Sequence, residues 1–250
     1  MSSPLVEYLL RLGDDRLILG HRLSEWCGHG PILEEDIATT NIALDLLGHA
    51  IMFLRLAGQL EAQGRDEDAL AYWRDERQFR NLQLCELPNG DFGFTILRQF
   101  LFDAWSAQQL DALTRSTHPE LAAIAAKALK ETRYHLRHSG EWVLRLGDGT
   151  AESQGRMQAA LDELWPWTGE LTYQDDVDAA LRADGSAPDL GPLRAPWERT
   201  VRDILTRATL RVPDGPARMT GGRFGRHTEH LGHLLAEMQI VARSHPGAKW

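Results

Sequence analysis

The segment KALKETRYHLRHS (127–139) places a glutamate, Glu131, with histidines four and seven residues on, His135 and His138. A carboxylate and a histidine one turn apart on a helix project side by side. Repeated on paired helices as Glu-x-x-His, that arrangement holds two bridged iron ions inside a four-helix protein. Here the residue three after Glu131 is Tyr134, so the spacing approaches the pattern without matching it. A second half-site lies in NIALDLLGHA (41–50), where Asp45 is followed by Gly48 at i+3 and His49 at i+4. Glycine has no ligating atom, and His49 is turned roughly 100° away from the proper slot. Both halves keep a carboxylate and lack the histidine at i+3. A further carboxylate, Asp103, sits in the apolar stretch TILRQFLFDAWSAQQL.

Helical periodicity runs through the chain, and clear strand signals are missing. The first four long helices are predicted over about 4–26, 32–62, 94–114 and 119–146. Short links join the first to the second and the third to the fourth, and a connection of about 30 residues separates the pairs. Two helical hairpins with a crossover give an all-α, ferritin-like four-helix bundle. The expected organisation is a single domain over 1–250, with a core bundle over about 4–146 and accessory helices over about 151–250. The segment DGSAPDLGP (184–192) is the best candidate for a mobile loop.

The second helix is apolar around most of its circumference through Ile42, Ala43, Leu44, Leu46, Leu47, Ile51, Phe53 and Leu54. Such a helix is expected to be central. Asn41, Asp45 and His49 then form one narrow polar stripe, with Asp45 buried. A buried carboxylate needs a partner, because leaving it unpaired costs several kcal/mol. Asp45 and Asp103 therefore predict either a metal ion or a cationic or hydrogen-bonding side chain from a facing helix. In the fourth helix the apolar face is Leu121, Ala125, Ala128, Thr132, Leu136 and Val143, with His135 on its edge. Lys127, one turn before Glu131, can supply locally the positive charge an iron ion would have supplied. The preferred reading is an ion-paired polar cluster without metal. Residues at i+4 also share a face, so a di-iron site built from Asp45, His49, Asp103, Glu131 and His135, with Glu25, stays open as the alternative.

Composition narrows the function classes. The 250 residues carry a net charge of −9, which opposes a nucleic-acid footprint. Two cysteines, Cys27 and Cys85, are too few for a disulfide framework or a cysteine-rich zinc site. No basic leader and no uninterrupted apolar run of roughly 18 residues is present, so no membrane span and a cytoplasmic location are expected. There is no Gly-x-Ser-x-Gly elbow and no phosphate-binding glycine motif of the Walker or dinucleotide kind.

The segments RLSEWCGHGPILEEDIATTNIALDLLGHA (22–50), RQFLFDAW (98–105), KALKETRYHLRHS (127–139) and TGGRFGRHTEHLGHLLAEMQ (220–239) together resemble the smaller, non-catalytic subunit of bacterial phenylacetyl-CoA 1,2-epoxidases. The resemblance spans nearly the whole chain. It implies a ferritin-like scaffold subunit with no catalytic residue, cofactor or metal of its own. It further implies a catalytic sister subunit that carries the di-iron site and a separate reductase carrying flavin and an iron–sulfur cluster. The altered positions Asp45, Gly48, His49, Asp103, Lys127, Glu131, Tyr134 and His135 agree with that assignment. A free-standing helical binding protein is the other alternative. A subunit without chemistry acts through its surface, so apolar residues of the first three helices are expected to lie partly exposed. Alone, the chain could cover them as a homodimer.

Two features near the C-terminus have competing readings. Gly221, Gly222 and Gly225 with Arg223 and Arg226 could hold a phosphate or carboxylate at a helix N-terminus. A flexible surface loop or partner contact is the plainer expectation. His227, His230 and His233 drift by roughly 60° per step, so all three cannot meet one ion, and solvated or interface histidines are expected.

Overall fold

The computed structural model describes residues 3–214 and 220–248. Among them there is no strand, and the helices follow in the order α1 (Pro4–Ser24), α2 (Leu33–Glu61), α3 (Glu67–Tyr72), α4 (Gln83–Glu86), α5 (Phe92–Leu113), α6 (Pro119–Gly147), α7 (Ala151–Leu164), α8 (Asp176–Asp184), α9 (Arg194–Arg207) and α10 (Glu229–Ser244). Local chemistry sets the ends. Ser3 Oγ accepts from Val6 N at 3.3 Å ahead of Pro4, and Asp91 Oδ1 accepts from Phe94 N at 2.9 Å ahead of α5. His118 Nδ1 accepts from Leu121 N at 3.3 Å just before Pro119, so proline's missing N–H falls where no helical bond is lost. α2 stops where Ala62 turns left-handed at φ 56°.

α1 packs along α2, and α5 along α6. The two pairs face each other, with α2 meeting α6, and α3 and α4 lie in the crossover between them. α7 and α9 cover α5 and α6, α8 lies on α1, and α10 packs on α3 and α4. This is the four-helix bundle with accessory helices that the link lengths predict. Gly13 and Gly20 lie seven residues apart where α1 closes on α2. A Cβ at Gly13 would stand 2.7 Å from the Leu54 side chain, so glycine there lets Leu54 seat against the α1 backbone.

The central helix is α1 and not α2. Every residue from Tyr8 to Gly20 is buried, although the run includes Arg11, Asp14, Asp15 and Arg16. Each of these charges meets a partner. Arg11 donates to Asp175 and Asp178, and Asp14 pairs with Arg74. Asp15 accepts two bonds from Arg223, at 2.8 and 2.9 Å. Arg16 donates to Ser106 Oγ. α5 is likewise buried along most of its length. α2, by contrast, leaves Leu33, Ile37, Leu44, Ile51 and Leu60 in solvent. The expectation of a central α2, and of exposed apolar residues spread over the first three helices, is corrected: the exposed apolar face belongs to α2. That helix is long and apolar enough to cross a membrane by composition, but its inner face is packed on the bundle. Segment 184–192 is anchored, with Ser116 Oγ donating to Ser186 O at 2.6 Å and Thr117 N to Gly185 O at 3.1 Å.

Candidate functional site

The residues singled out by spacing meet where α2 passes α6. Asp45 and His49 are one turn apart on α2, and Glu131 and His135 one turn apart on α6. The helices exchange partners: His49 Nε2 bonds Glu131 Oε2 at 2.6 Å, and His135 Nε2 bonds Asp45 Oδ2 at 2.9 Å. The two imidazole rings lie 6.3 Å apart. A third pair, His138 Nε2 to Glu35 Oε2 at 2.8 Å, extends the seam. Burial pushes the His49 ring down to about 2, helped by the nearby positive charge of Arg16. Burial also lowers His135, although Asp45 opposes the shift. Both rings are therefore neutral, and each donates its Nε2–H to a carboxylate.

Two expectations change here. Asp45 is not buried: its carboxylate is 38% exposed, at the rim of the seam, while its partner His135 is fully buried. Its partner nevertheless comes from a facing helix, α6. Lys127 is exposed and influences Glu131 only through its field; the bonded partner of Glu131 is His49. Burial holds the Glu131 carboxyl above its ordinary range, and Asp45 adds to the shift.

Asp103 is fully buried on α5 and meets no cation. Gln99 Nε2 donates to Oδ1 at 2.7 Å, and Ser139 Oγ lies 2.9 Å from Oδ2. Burial pushes this carboxyl well above the carboxylate range, and the two hydrogen bonds only partly offset it. A neutral Asp103 fits the geometry. Its Oδ2–H can donate to Ser139 Oγ, which in turn donates to His135 O at 2.9 Å.

The four seam residues do not fit a carboxylate-bridged di-iron centre. The Nε2 atoms that would ligate metal already donate to carboxylates across the seam. Gly48 faces open space, with nothing within 4 Å of where a Cβ would stand, and Tyr134 is 47% exposed. Glu25 is bound to Arg22 and Asn89 instead of joining the seam. Among the described residues, no group of three or more His, Cys, Asp or Glu is placed to hold a metal. Between the helix pairs lies a resident cation that sequence reasoning missed. Arg16 of α1 has its guanidinium 5.0 Å from the Phe53 ring and 5.9 Å from the Phe102 ring. It donates to Ser106 Oγ and Leu12 O, both at 2.9 Å. A fixed positive charge at this depth opposes a second cation beside it. In the sequence, Arg16 is one of several charges in α1, and only its partners distinguish it.

The C-terminal loop also departs from expectation. Arg223 is buried against Asp15, so the loop is clamped to α1. His227 is not solvated: Nδ1 lies 2.8 Å from Glu86 Oε2 and Nε2 lies 3.1 Å from Phe79 O.

The outer face of α2 is the other notable surface. Ile37, Leu44 and Ile51 recur at seven-residue spacing and are 54%, 60% and 43% exposed, with Leu33 one turn ahead at 70%. Asn41, Gly48 and Arg55 alternate with them on the same face. This is the a/d spacing of a coiled-coil seam, with two polar side chains and a glycine at the d positions.

The whole chain, residues 1–250, matches the phenylacetic acid catabolic protein family. The chain belongs to that family. It is 53% identical over 248 residues to a 1,2-phenylacetyl-CoA epoxidase subunit of Escherichia coli (strain K12), covering 99% of this chain and all of the relative. Within this family of ferritin-like helical proteins, the present member carries carboxylate–histidine pairs where the spacing suggested metal ligands, and beside them an unpaired apolar helix face.

Proposed function

We propose that this chain is the non-catalytic scaffold subunit of a phenylacetyl-CoA 1,2-epoxidase and that it holds a catalytic, di-iron-bearing sister subunit through the outer face of α2. Electrons reach that sister subunit from a flavin and iron–sulfur reductase. The observation that carries the proposal is the exposed heptad stripe Ile37–Leu44–Ile51 on a helix whose inner face is already packed. A monomer gains nothing from such a stripe, whereas a helix–helix interface buries it. Gly48 fits this role. It adds nothing to packing within the chain, and it lets a partner backbone approach closely. The seam of histidine–carboxylate pairs supports the same reading, because it holds α2 and α6 in register without metal chemistry. An active di-iron site in this chain is disfavoured by the occupied Nε2 atoms and by Arg16.

A stable hetero-complex buries about 2,000 Å² or more in total, so the stripe forms the centre of a larger patch that includes Leu33 and Tyr134. In isolation, a second copy covers the same face. The test is co-expression with the catalytic subunit. Leu44→Glu would place an unpaired carboxylate in the interface at a cost of several kcal/mol, and co-purification and epoxidase activity should both be lost. Gly48→Trp, with its fold checked by circular dichroism, should do the same, since the Cβ at that position points away from the atoms of this chain. Retention of the complex and of activity in both variants would move the interface elsewhere.

A further inference from the structure

A recess of about 440 Å³ lies between the short 3₁₀ turns Glu76–Gln78 and Gly222–Phe224, lined by Glu76, Arg77, Phe224, Gly225, Arg226 and His227. Six arginines crowd this corner of the molecule. Four have carboxylate partners: Arg74 with Asp14, Arg80 with Glu7, Arg223 with Asp15 and Arg243 with Asp75. The remaining two, Arg77 and Arg226, are exposed, have no carboxylate partner among the described residues, and both line the recess. The recess lining thus brings together two guanidiniums without a carboxylate partner, the His227–Glu86 pair and a single further carboxylate, Glu76.

The wall that carries Arg226 is rigid. Arg223 is fixed inward by Asp15, Arg11 O and Arg80 O. Gly225 turns left-handed at φ 69°, and a Cβ there would come 2.2 Å from Arg77 O. Gly222 is pressed as closely on Asn81 O, at 2.0 Å. His227 is held by Glu86 and Phe79 O; with both ring nitrogens on acceptors it is an imidazolium, whose charge Glu86 balances. Between these fixed points Phe224 and Arg226 turn outward, and Phe224 is 52% exposed. Its ring packs T-shaped with that of Tyr173, centroids 5.5 Å apart, which steadies it. The α10 N-terminus takes no part, since Thr228 N already donates to Glu86. Glu76 is the one carboxylate in the lining, and it leans toward Gly232.

We propose that this recess binds a phosphorylated aromatic ligand of the adenine nucleotide class, with Arg77 and Arg226 on the phosphates and the base against Phe224. Guanidinium forks match phosphate oxygens in pairs, and an exposed aromatic face accepts a purine by stacking. The volume falls within the range of small-ligand sites. The site adjoins α1 through the Arg223–Asp15 pair, shares no residue with the exposed face of α2, and is independent of the assembly proposed above.

The test is isothermal titration of the full chain with ADP, AMP and inorganic pyrophosphate at low salt, repeated on the assembled complex. Saturable ADP binding is expected. It should weaken about tenfold or more in Arg77→Gln/Arg226→Gln, from the loss of two charge-assisted contacts. Phe224→Ala should weaken ADP but leave pyrophosphate unchanged. The arginine variants should keep the parent melting temperature, because both side chains are exposed and unpaired with any carboxylate. Absence of saturable ADP binding, ADP binding unchanged in the double variant, or binding only of acidic peptides would overturn the assignment.

Discussion

Asp103 offers a test in which the sign of a pH effect separates two protonation states. The carboxyl is fully buried, its two polar neighbours are neutral, and no cation reaches it. If it is neutral in the folded protein, Asp103→Asn is nearly isosteric. The amide oxygen still accepts from Gln99, and the amide NH₂ donates to Ser139 as the acid O–H does. The folded-state pKa is raised, so the contribution of this group to stability is fully present below the unfolded value of about 3.9 and is lost as pH rises toward the folded value. Within that window the unfolded chain releases a proton that the folded chain keeps. The parent therefore loses about 1.4 kcal/mol per pH unit on account of this one residue. The amide of the variant cannot ionise and escapes the loss.

The expected result of urea unfolding by circular dichroism is near parity of the two proteins at the acid end. The advantage of the Asp103→Asn variant should then widen by about 1.4 kcal/mol between pH values one unit apart. Other titrating groups cancel in the difference. Asp103→Leu should also flatten the profile, but it leaves Gln99 and Ser139 without their partner, at a cost of about 1–3 kcal/mol. Parallel parent and Asp103→Asn profiles, offset by the same amount at every pH, would mean that Asp103 is ionised in the fold and that the neutral-acid reasoning is wrong.

The remaining expectations are briefer. His227 is held above its ordinary range by Glu86, so the stability it contributes is present below the unfolded value of about 6.5 and is lost as pH rises through the folded value; the melting temperature of the parent should fall over that alkaline window, and that of His227→Gln should not. Arg223→Ala strands Asp15 in the core and should cost about 3–5 kcal/mol in chemical denaturation, where a surface arginine such as Arg202 should cost almost nothing. Gly48→Ala should stabilise the isolated chain by up to about 1 kcal/mol, because Gly48 is in mid-helix with free space at its Cβ position. Gly48→His combined with Tyr134→His completes the ligand spacing on paper, yet metal analysis should find no stoichiometric iron, since both positions face outward.

The fold was legible because helix periodicity and link length are local properties. The boundaries of the four long helices fall within about two residues of the periodicity reading, and the capping groups Ser3, Asp91 and His118 stand where the sequence starts each run. Asp45 does bond across to α6, but the reasoning that led there, a carboxylate buried on a central helix, does not hold, since Asp45 lies at the exposed rim of the seam. The identity of each partner was not legible. His49 to Glu131 and His135 to Asp45 is an exchange between helices, and spacing along one helix carries no information about which residue of another stands opposite. For the same reason Lys127, adjacent in sequence, was overestimated as the partner of Glu131, and Arg16, distant in sequence, was missed.

The inverted roles of α1 and α2 have one physical origin. An apolar pattern records that a face is buried, but not whether the cover comes from the same chain. α2 is apolar nearly all round, yet only its inner face serves the bundle, and Leu33, Ile37, Leu44 and Ile51 remain in solvent. α1 reads as polar because its buried Arg11, Asp14 and Asp15 are matched with Asp175 and Asp178, Arg74 and Arg223, three of which lie beyond the four-helix core. Removing one member of such a pair leaves a buried charge, which costs more than the intact pair contributes. The C-terminal elements are thus keyed to the bundle by charge and by apolar packing. α1, fixed by these pairs, packs along α2, so the docking proposed above for the Ile37–Leu44–Ile51 face would meet a support that need not rearrange.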